Sequence, residues 1–210
     1  MRSIAMNPTD TATPPTDMLV PEHRRRLLEG MARAVAAHGY PDTTIADIVR
    51  EAGVSRRTFY EHFGSKADCL IALYEAASRN ALQELRAVIE PQLDWQTQVE
   101  RAMRTYFAVL SRNPVLLRTL FIEILGLGPH GLSVRRRVNQ QLADLLLEAV
   151  NERPGPRLRK SPLMPTMATA VVGGINELVL QAIEQDRVDA LHTLVEPASA
   201  LLRAAIAADF

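Results

Sequence analysis

The apolar positions of this chain recur with the spacing of amphipathic helices from about residue 21 onward. Ile45, Ile48, Val49 and Ala52 follow the i, i+3, i+4, i+7 order of one helix face, and later segments repeat this order. No stretch shows the alternation that a half-buried strand requires. Prolines and glycines fall mostly between the periodic segments, where they begin or end helices. The pattern therefore predicts an all-α chain of about nine helices, three short ones followed by six mostly longer ones.

Composition and turn signals divide the chain into three parts. Residues 1–20 are rich in Pro, Thr and Asp and have no periodicity, so we interpret them as a flexible N-terminal tail. Residues 21–66 hold the short helices, and residues 67–210 hold the longer ones. Turn signals also predict that residues 126–131 form an interhelix loop and that Asp189 caps the last helix.

The strongest local signal lies in residues 44–63, whose sequence is TIADIVREAGVSRRTFYEHF. Two short helices joined by a glycine-containing turn match a helix-turn-helix, a motif that places its second helix in the major groove of DNA. The second helix here spans residues 56–63, and Phe59 and Phe63 are spaced to face the core. A solvated basic helix face has the same spacing, so the spacing alone leaves both interpretations open. The side chains left outward are Arg56, Arg57, Thr58, Tyr60 and His62.

Overall charge does not separate these interpretations. The chain has 24 Lys+Arg and 24 Asp+Glu, so its formal net charge is zero. Residues 21–66 contain eight basic and six acidic side chains, a balance of +2. The helix starts near Thr44, Ser55 and Lys66 have free backbone N–H groups, which attract phosphate. Local patterning thus favours a nucleic-acid contact more than the net charge does.

A longer pattern surrounds the helix-turn-helix. Its motifs, in chain order, are Gly39–Tyr40, Thr43–Thr44–Ile45, Ala52–Gly53–Val54–Ser55, Thr58–Phe59–Tyr60, His62–Phe63 and Ser65–Lys66. With these motifs in fixed order, residues 22–74 resemble the DNA-binding domain of the TetR (TetR/AcrR) family of bacterial transcriptional regulators. Two positions depart from the family pattern. Gly64 stands where proline is common, and Arg57 stands where small residues are frequent, which we expect to alter base preference.

The resemblance implies a function and roles for individual residues. An N-terminal three-helix DNA-binding domain would be followed by a C-terminal helical ligand-binding and dimerisation domain. Such a protein would bind a near-palindromic operator in double-stranded DNA as a homodimer. Most family members are repressors that a small effector releases, but nothing in the residues distinguishes a repressor from an activator. By position, Thr44, Tyr60, His62 and Lys66 would bind phosphates, while Arg56, Arg57 and Thr58 would lie closest to base edges, with Ser55 at the turn.

For residues 67–210, the resemblance implies a dimer interface on the last two helices and an effector site among the helices before them. Stripes of apolar and small residues favour the interface, although an intrachain core would have the same stripes. The predicted interface residues are Val171, Gly174, Ile175, Leu178, Leu194, Ala198 and Leu201. The predicted effector contacts are Met103, Tyr106, Phe107, Phe121, Glu123, Asn176 and Glu177. This set suits a small, mostly apolar or aromatic effector and does not identify it.

Other classes of function have weaker signals. Residues 126–131, GLGPHG, match a nucleotide-binding glycine pattern in letters only, because no strand precedes them and Pro129 stands inside the turn. The five histidines lack the i, i+4 spacing of a helical metal site. We therefore predict no catalytic residue, no metal and no cofactor. A helical enzyme or an adaptor that does not bind DNA is the alternative.

The cellular compartment is indicated by two features. Cys69 is the single cysteine, which excludes an intramolecular disulfide and suits a reducing cytoplasm. It lies near the start of a predicted helix, where a lowered pKa would permit a redox role. No apolar run reaches the roughly 18–20 residues that cross a bilayer, since Asn176 and Glu177 interrupt the best candidate, residues 167–183. We expect a cytoplasmic protein without a membrane contact.

Overall fold

The computed structural model describes residues 16–90, 92–152 and 161–207, with side chains from residue 22 onward. These residues are almost entirely helical and include no strand, so the all-α prediction is confirmed. Two 3₁₀ helices, Glu123–Leu127 and Val188–Leu194, interrupt the α-helices. The α-helices of the described residues are α1 Thr16–Asp42, α2 Ile45–Ala52, α3 Arg56–His62, α4 Lys66–Ala87, α5 Trp95–Ser111, α6 Pro114–Phe121, α7 Gly128–Asn151, α8 Pro165–Glu184 and α9 Val195–Ala207.

Side-chain caps fix the ends of the helices in the first half of the chain. The Thr44 hydroxyl accepts the backbone N–H of Asp47 (3.2 Å), and the Asp47 carboxylate accepts the N–H of Thr44 (3.0 Å), which completes a capping box on α2. Gly53 ends α2 with φ 62°, a left-handed conformation that suits glycine. The Ser55 hydroxyl then accepts the N–H of Thr58 (3.0 Å) and begins α3. These local bonds set the turn between the two helices.

The predicted boundaries differ from the structure at three places. Helix α1 begins at Thr16, inside the segment interpreted as a tail, and residues 1–15 of that segment lie outside the described residues. The loop prediction for residues 126–131 is wrong, because α7 begins at Gly128 and takes Pro129 into its first turn, where proline is tolerated. Asp189 does not cap α9, since it lies within the second 3₁₀ helix, which buries Leu191 completely.

Helix α4 contributes to two large hydrophobic cores and, through Tyr74, to a small third cluster with Ile124, Val134 and Val138. The first core joins α1, α2 and α3 to the first half of α4, which contributes Leu70 and Leu73. The second core joins α5, α7, α8 and α9 to the far end of α4, which contributes Leu85. We call residues 22–73 the head and the helices that follow the body. Because α4 belongs to both cores, a displacement of α4 in the body must also displace the head.

Two stretches are long and apolar enough to cross a membrane by length and composition, Pro114–Asn151 and Pro165–Glu184. In the second stretch, which is α8, Val171, Ile175 and Val179 are buried in the body core. A central core helix passes the same test of composition. The apolar character of α8 is therefore accounted for by packing inside the protein.

Candidate functional site

Helix α3 presents its polar side chains away from the head core. Phe59 is completely buried, and Phe63, directly after the helix, is 5% exposed. These two rings fix the rotation of α3 and leave Tyr60, whose ring centre lies 5.5 Å from that of Phe59, 59% exposed. Arg56 and Arg57 are also exposed, while Thr58 and His62 are half-buried at the edges of this face. The structure thus places all five predicted α3 residues on one side, where a DNA groove could meet them.

The two arginines of α3 differ in their partners. Arg57 donates to the Glu61 carboxylate at 3.1 Å, one turn along the helix. Both side chains are well exposed, so this pair is worth only a few tenths of a kcal/mol and gives way readily to a base or a phosphate. Arg56 makes no hydrogen bond or ion pair with any described residue. The free guanidinium of Arg56 is therefore the more available donor for DNA.

Thr44 and Ser55 already serve as helix caps. The Thr44 hydroxyl donates to the Asp47 carboxylate at 2.6 Å, and this bond, with the one from the Thr44 N–H, lowers the pKa of Asp47 to about 2. Ser55 is engaged with the Thr58 N–H and lies 2.9 Å from the Thr58 hydroxyl. Both caps are exposed beside α3. In a DNA contact, Thr44 and Ser55 would orient the N-termini of α2 and α3 towards the phosphates and would also present their own hydroxyls.

The structure does not support the phosphate role predicted for Lys66. Its ammonium donates to the backbone carbonyls of Tyr40 (2.8 Å), Thr43 (2.8 Å) and Pro41 (3.2 Å). It also lies 4.3 Å from the centre of the Tyr40 ring. An ammonium has three N–H donors, so none is left for a phosphate in this conformation. Lys66 instead fastens Thr43 and the last residues of α1, which kinks at Gly39, to the start of α4, an arrangement that we call the Lys66 clasp.

His62 is a half-buried member of the predicted DNA face. Burial lowers its pKa, and the positive charge of His23 and Arg24 acts in the same direction. The two histidine rings lie 6.5 Å apart between centroids. A lowered pKa favours the neutral imidazole at neutral pH. His62 can thus donate a hydrogen bond to DNA without adding a positive charge.

The body contains a cavity of about 230 Å³ between α4, α5, α6, α7 and α8. Three of the predicted effector contacts, Tyr106, Phe121 and Asn176, line it. The Tyr106 hydroxyl donates to the Asn176 side-chain oxygen (2.7 Å), and the Asn176 amide donates to Asn139 (3.0 Å). Burial raises the pKa of Tyr106, which keeps its hydroxyl protonated. These polar groups therefore satisfy one another inside a mostly apolar wall.

The other four predicted effector contacts lie elsewhere. Met103 and Phe107 are buried on the side of α5 that meets the body core, whereas the cavity meets Tyr106, Val109 and Leu110. The apolar stripe of α5 is wide enough to face both the core and the cavity, so the helical period could not show which of its residues face the core and which face the cavity. Glu123 lies in a different groove, near Arg118, and Glu177 is on the exposed side of α8.

Sequence reasoning missed seven polar residues of the cavity wall, namely Tyr74, Ser78, Asn80, Arg112, Asn113, Arg135 and Asn139. A signal was present for Arg135 and Asn139. Arg135 and Asn139 share one face of α7 with Val138 and Leu142, as expected for positions separated by three or four residues. A basic side chain among apolar neighbours on a helix face marks either a buried pair or a ligand contact.

The predicted dimer interface is partly wrong. Val171, Ile175 and Ala198 are 3%, 6% and 0% exposed within the single chain, so they have almost no surface left to bury against a partner. Gly174, Leu178 and Leu194 are half-buried, and Leu201 is 38% exposed. The stripe alone could not separate the buried residues from those at the surface, because α8 has apolar or small residues on both sides. A narrow exposed face of small and apolar residues remains on α8 and α9, formed by Ala170, Gly173, Gly174, Leu178, Pro197, Leu201 and Ala204.

The cysteine interpretation is also corrected. Cys69 is fully buried in the head core, and burial raises the pKa of its thiol to about 12. A thiol in this state lacks the thiolate character that redox sensing requires. Among the residues that the structure describes, no group of three His, Cys, Asp or Glu side chains is arranged to hold a metal ion.

Comparison with known families agrees with the geometry of the head. Residues 27–73 match the family model described as bacterial regulatory proteins, tetR family. This stretch begins in α1, contains α2 and α3, and ends in the first half of α4. This match covers the head and identifies residues 27–73 as similar to that family. The matched residues are also those that form the hydrophobic core of the head.

Similar proteins extend the likeness from the head to the body. The nucleoid occlusion factor SlmA of Aliivibrio fischeri is 24% identical over 171 residues, which is 79% of this chain and 86% of SlmA. The fatty acid degradation regulator FadR of Bacillus halodurans has a similar structure, with a TM-score of 0.75, 21% identity and coverage of 85% and 97% of the two chains. FadR of Bacillus subtilis, solved in complex with stearoyl-CoA, gives a TM-score of 0.74, 18% identity and coverage of 86% and 98%. At these identities the structural likeness concerns the fold.

Proposed function

We propose that this TetR-family transcriptional regulator is a ligand-responsive repressor that binds a near-palindromic operator as a homodimer. The observation that carries the proposal is the outward face of α3, where Arg56, Arg57 and Tyr60 are exposed and uncommitted or weakly committed. Arginine pairs with guanine edges or phosphates, and tyrosine donates to phosphate. The protein would act by binding, in the cytoplasm, without catalysis and without a membrane contact.

The exposed face of α8 and α9 supports the dimer. Gly173 has open space around it, and a side chain added to Gly174 would come within 3.2 Å of Leu201 on α9. Glycine within a helix costs about 1 kcal/mol relative to alanine, so two in succession on an exposed face favour a close helix contact. Two such helices from each subunit would form a four-helix bundle about a two-fold axis. The two copies of α3 would then enter successive major grooves about 34–36 Å apart.

The cavity supports control by an effector. It lies against α4, and α4 is the helix that both cores share. A ligand that binds more tightly when α4 is in a different position would favour a different spacing of the two α3 helices. The loss of operator affinity would then follow from the difference in the ligand's affinity for the two conformations. The similar FadR structure from Bacillus subtilis contains stearoyl-CoA. We infer that the cavity here binds a small, mostly apolar effector.

DNA binding is tested by selecting genomic fragments on the purified protein and measuring their affinity by fluorescence anisotropy at near-physiological salt. Specific binding should exceed binding to a scrambled duplex by about 10³-fold or more. Arg56→Gln should weaken it by roughly 10- to 100-fold, while Arg79→Gln, an equally exposed arginine on α4, should leave it unchanged. Equal affinity for both duplexes, or no loss in Arg56→Gln, would count against the regulator. A specific complex that raises transcription in a reporter assay would identify an activator instead.

The dimer is tested by sedimentation velocity. Leu201→Glu places a charge on the exposed face of α8 and α9 and should convert the dimer to monomer, with a matching loss of operator affinity. Leu132 is 51% exposed on α7 and offers a matched control, so Leu132→Glu should stay dimeric. A wild-type monomer, or a dimer that Leu201→Glu does not affect, would contradict the interface.

A further inference from the structure

The cavity wall carries a positive charge that no described residue neutralises. Two cations line the cavity, Arg112 and Arg135, and none of its described lining residues is acidic. Arg112 is held by Glu84 through two contacts of 2.5 and 2.8 Å. Arg135 is half-buried and makes no hydrogen bond or ion pair with any described residue. One guanidinium charge is therefore left uncompensated in the wall of an apolar cavity.

The neighbours of Arg135 show that carboxylate partners are available on this part of the molecule. Arg137, two residues further along α7, reaches the Glu75 carboxylate of α4 at 3.2 Å. Arg86 reaches Glu148 of α7 at 2.6 Å. Withdrawing a charge from water without a partner is unfavourable, and an anion from outside the chain would offset that cost. Arg135 thus has the features of a ligand contact more than of a structural ion pair.

A second uncommitted donor lies in the same cavity. Tyr74 of α4 is 6% exposed, lines the cavity and makes no hydrogen bond with any described residue. Burial raises the pKa of Tyr74 to about 12, and the charge of Arg135 acts in the opposite direction, as expected for close neighbours. The hydroxyl of Tyr74 therefore stays protonated and can donate. The similar hydroxyl of Tyr106 is already bound to Asn176.

The rest of the wall fixes the size and polarity of the ligand. A 150 Å³ cavity of comparable definition holds benzene, so about 230 Å³ holds a ligand of roughly nine or ten heavy atoms. Side chains from α5 and α6 provide an apolar surface for most of it. They are Val109, Leu110, Leu116, Leu117, Leu120 and Phe121.

We infer that the effector is an apolar carboxylate of about seven or eight carbons. Its carboxylate accepts hydrogen bonds from the Arg135 guanidinium and the Tyr74 hydroxyl, and its chain lies against the apolar residues of α5 and α6. A planar guanidinium matches the two oxygens of a carboxylate in a bidentate arrangement. Because Tyr74 belongs to α4, the bound carboxylate would link α4 to α7. This inference rests on the proposed effector role of the cavity and names the chemical class of the effector.

The test is calorimetric titration of the full-length protein, without DNA, using octanoate, octanol and octanoyl-CoA. Octanoate should bind more tightly than octanol by roughly 10- to 100-fold, because only the carboxylate forms charge-assisted bonds. It should also bind more tightly than octanoyl-CoA, whose thioester carries no charge at that position. Arg135→Gln should reduce octanoate affinity to the level of octanol. Tyr74→Phe should weaken it by a smaller factor, and Arg136→Gln, the next residue along α7 and exposed, should have no effect.

Three outcomes would overturn the inference. They are equal binding of octanoate and octanol, unchanged octanoate affinity in Arg135→Gln, and an absence of octanoate binding. Circular dichroism and thermal melting of Arg135→Gln verify that the variant is folded. Octanoate binding that leaves DNA affinity unchanged would contradict the proposed ligand response and leave the carboxylate site standing. Specific DNA binding without octanoate binding would overturn the carboxylate site alone.

Discussion

Replacing Lys66 separates a structural role from a phosphate contact. In Lys66→Met the side chain keeps its apolar stem and loses its ammonium, which leaves the carbonyls of Tyr40 and Thr43 without their 2.8 Å donor. Two such charge-assisted bonds in a half-exposed site contribute about 1 kcal/mol each, and the contact with the Tyr40 ring adds about 0.5–1 kcal/mol. The expected loss of stability is about 2–3 kcal/mol. For a chain of this size that is a fall in Tm of roughly 5–10 °C.

The salt dependence of operator binding then distinguishes the two roles. Each phosphate that a cation neutralises contributes about 0.9 to the slope of log K against log salt concentration. If the Lys66 clasp has only a structural role, the salt slope of operator binding should be the same in Lys66→Met as in the wild type. The slope is measured below the melting temperature of the variant. Arg56→Gln should do the reverse, with a slope reduced by about 0.9 and an unchanged Tm, if its guanidinium meets a phosphate.

The result that would refute this account of Lys66 is a variant with wild-type Tm and a salt slope reduced by about 0.9. It would mean that the three carbonyl bonds contribute nothing and that the ammonium turns to DNA in the complex. Lys66→Arg provides a further check. A guanidinium keeps the charge and cannot reproduce the compact three-carbonyl geometry, so it should melt close to Lys66→Met.

Three further predictions concern the head. The pKa of Asp47 is depressed from 3.8 to about 2, so the stability that its carboxylate contributes is complete above pH 3.8 and is lost as the pH falls towards 2. In Asp47→Asn, stability should therefore fall less steeply with pH over this range, as acid unfolding followed by circular dichroism would show. An identical acid-unfolding profile in the variant and the wild type would contradict the capping box. Cys69 should resist iodoacetamide at pH 8 in the native protein and react only on unfolding, as mass spectrometry would show. Gly30→Ala should destabilise the head by about 1–3 kcal/mol in a denaturant titration, because the added Cβ would lie 2.7 Å from the Ile48 carbonyl oxygen. The control variant Gly126→Ala should keep wild-type stability, because a Cβ at that position would have open space around it.

Much of the head was predictable because its signals are local. A cap such as Thr44 or Ser55 acts on a backbone group three residues away, and Gly53 acts on its own φ, so sequence order alone determines these features. The inward position of Phe59 follows from the helical period in the same way. The partners of Lys66 could not be predicted from its spacing, because its carbonyl acceptors lie 23 to 26 residues away in the chain.

The body was less predictable because several of its helices are apolar on more than one side. In α5 the residues that face the core and those that face the cavity are adjacent, so Phe107 and Tyr106 are alike in sequence and differ in surroundings. In α8 the buried residue Ile175 lies next to the exposed face that holds Gly174. Only the packing of neighbouring helices determines which side of such a helix faces the core. Arg135 is the exception, since its charge within an apolar stripe was a readable signal.

The most direct test of a dimeric DNA-reading protein is methylation protection of guanine N7 on the selected operator. N7 lies in the major groove, so the method reports the groove that α3 occupies. The account predicts two clusters of protected guanines related by two-fold symmetry, with centres about one helical turn apart or a whole multiple of it, and their loss in Leu201→Glu. A single cluster, or no protection of guanine N7, would contradict a homodimer that places two copies of α3 in the major groove.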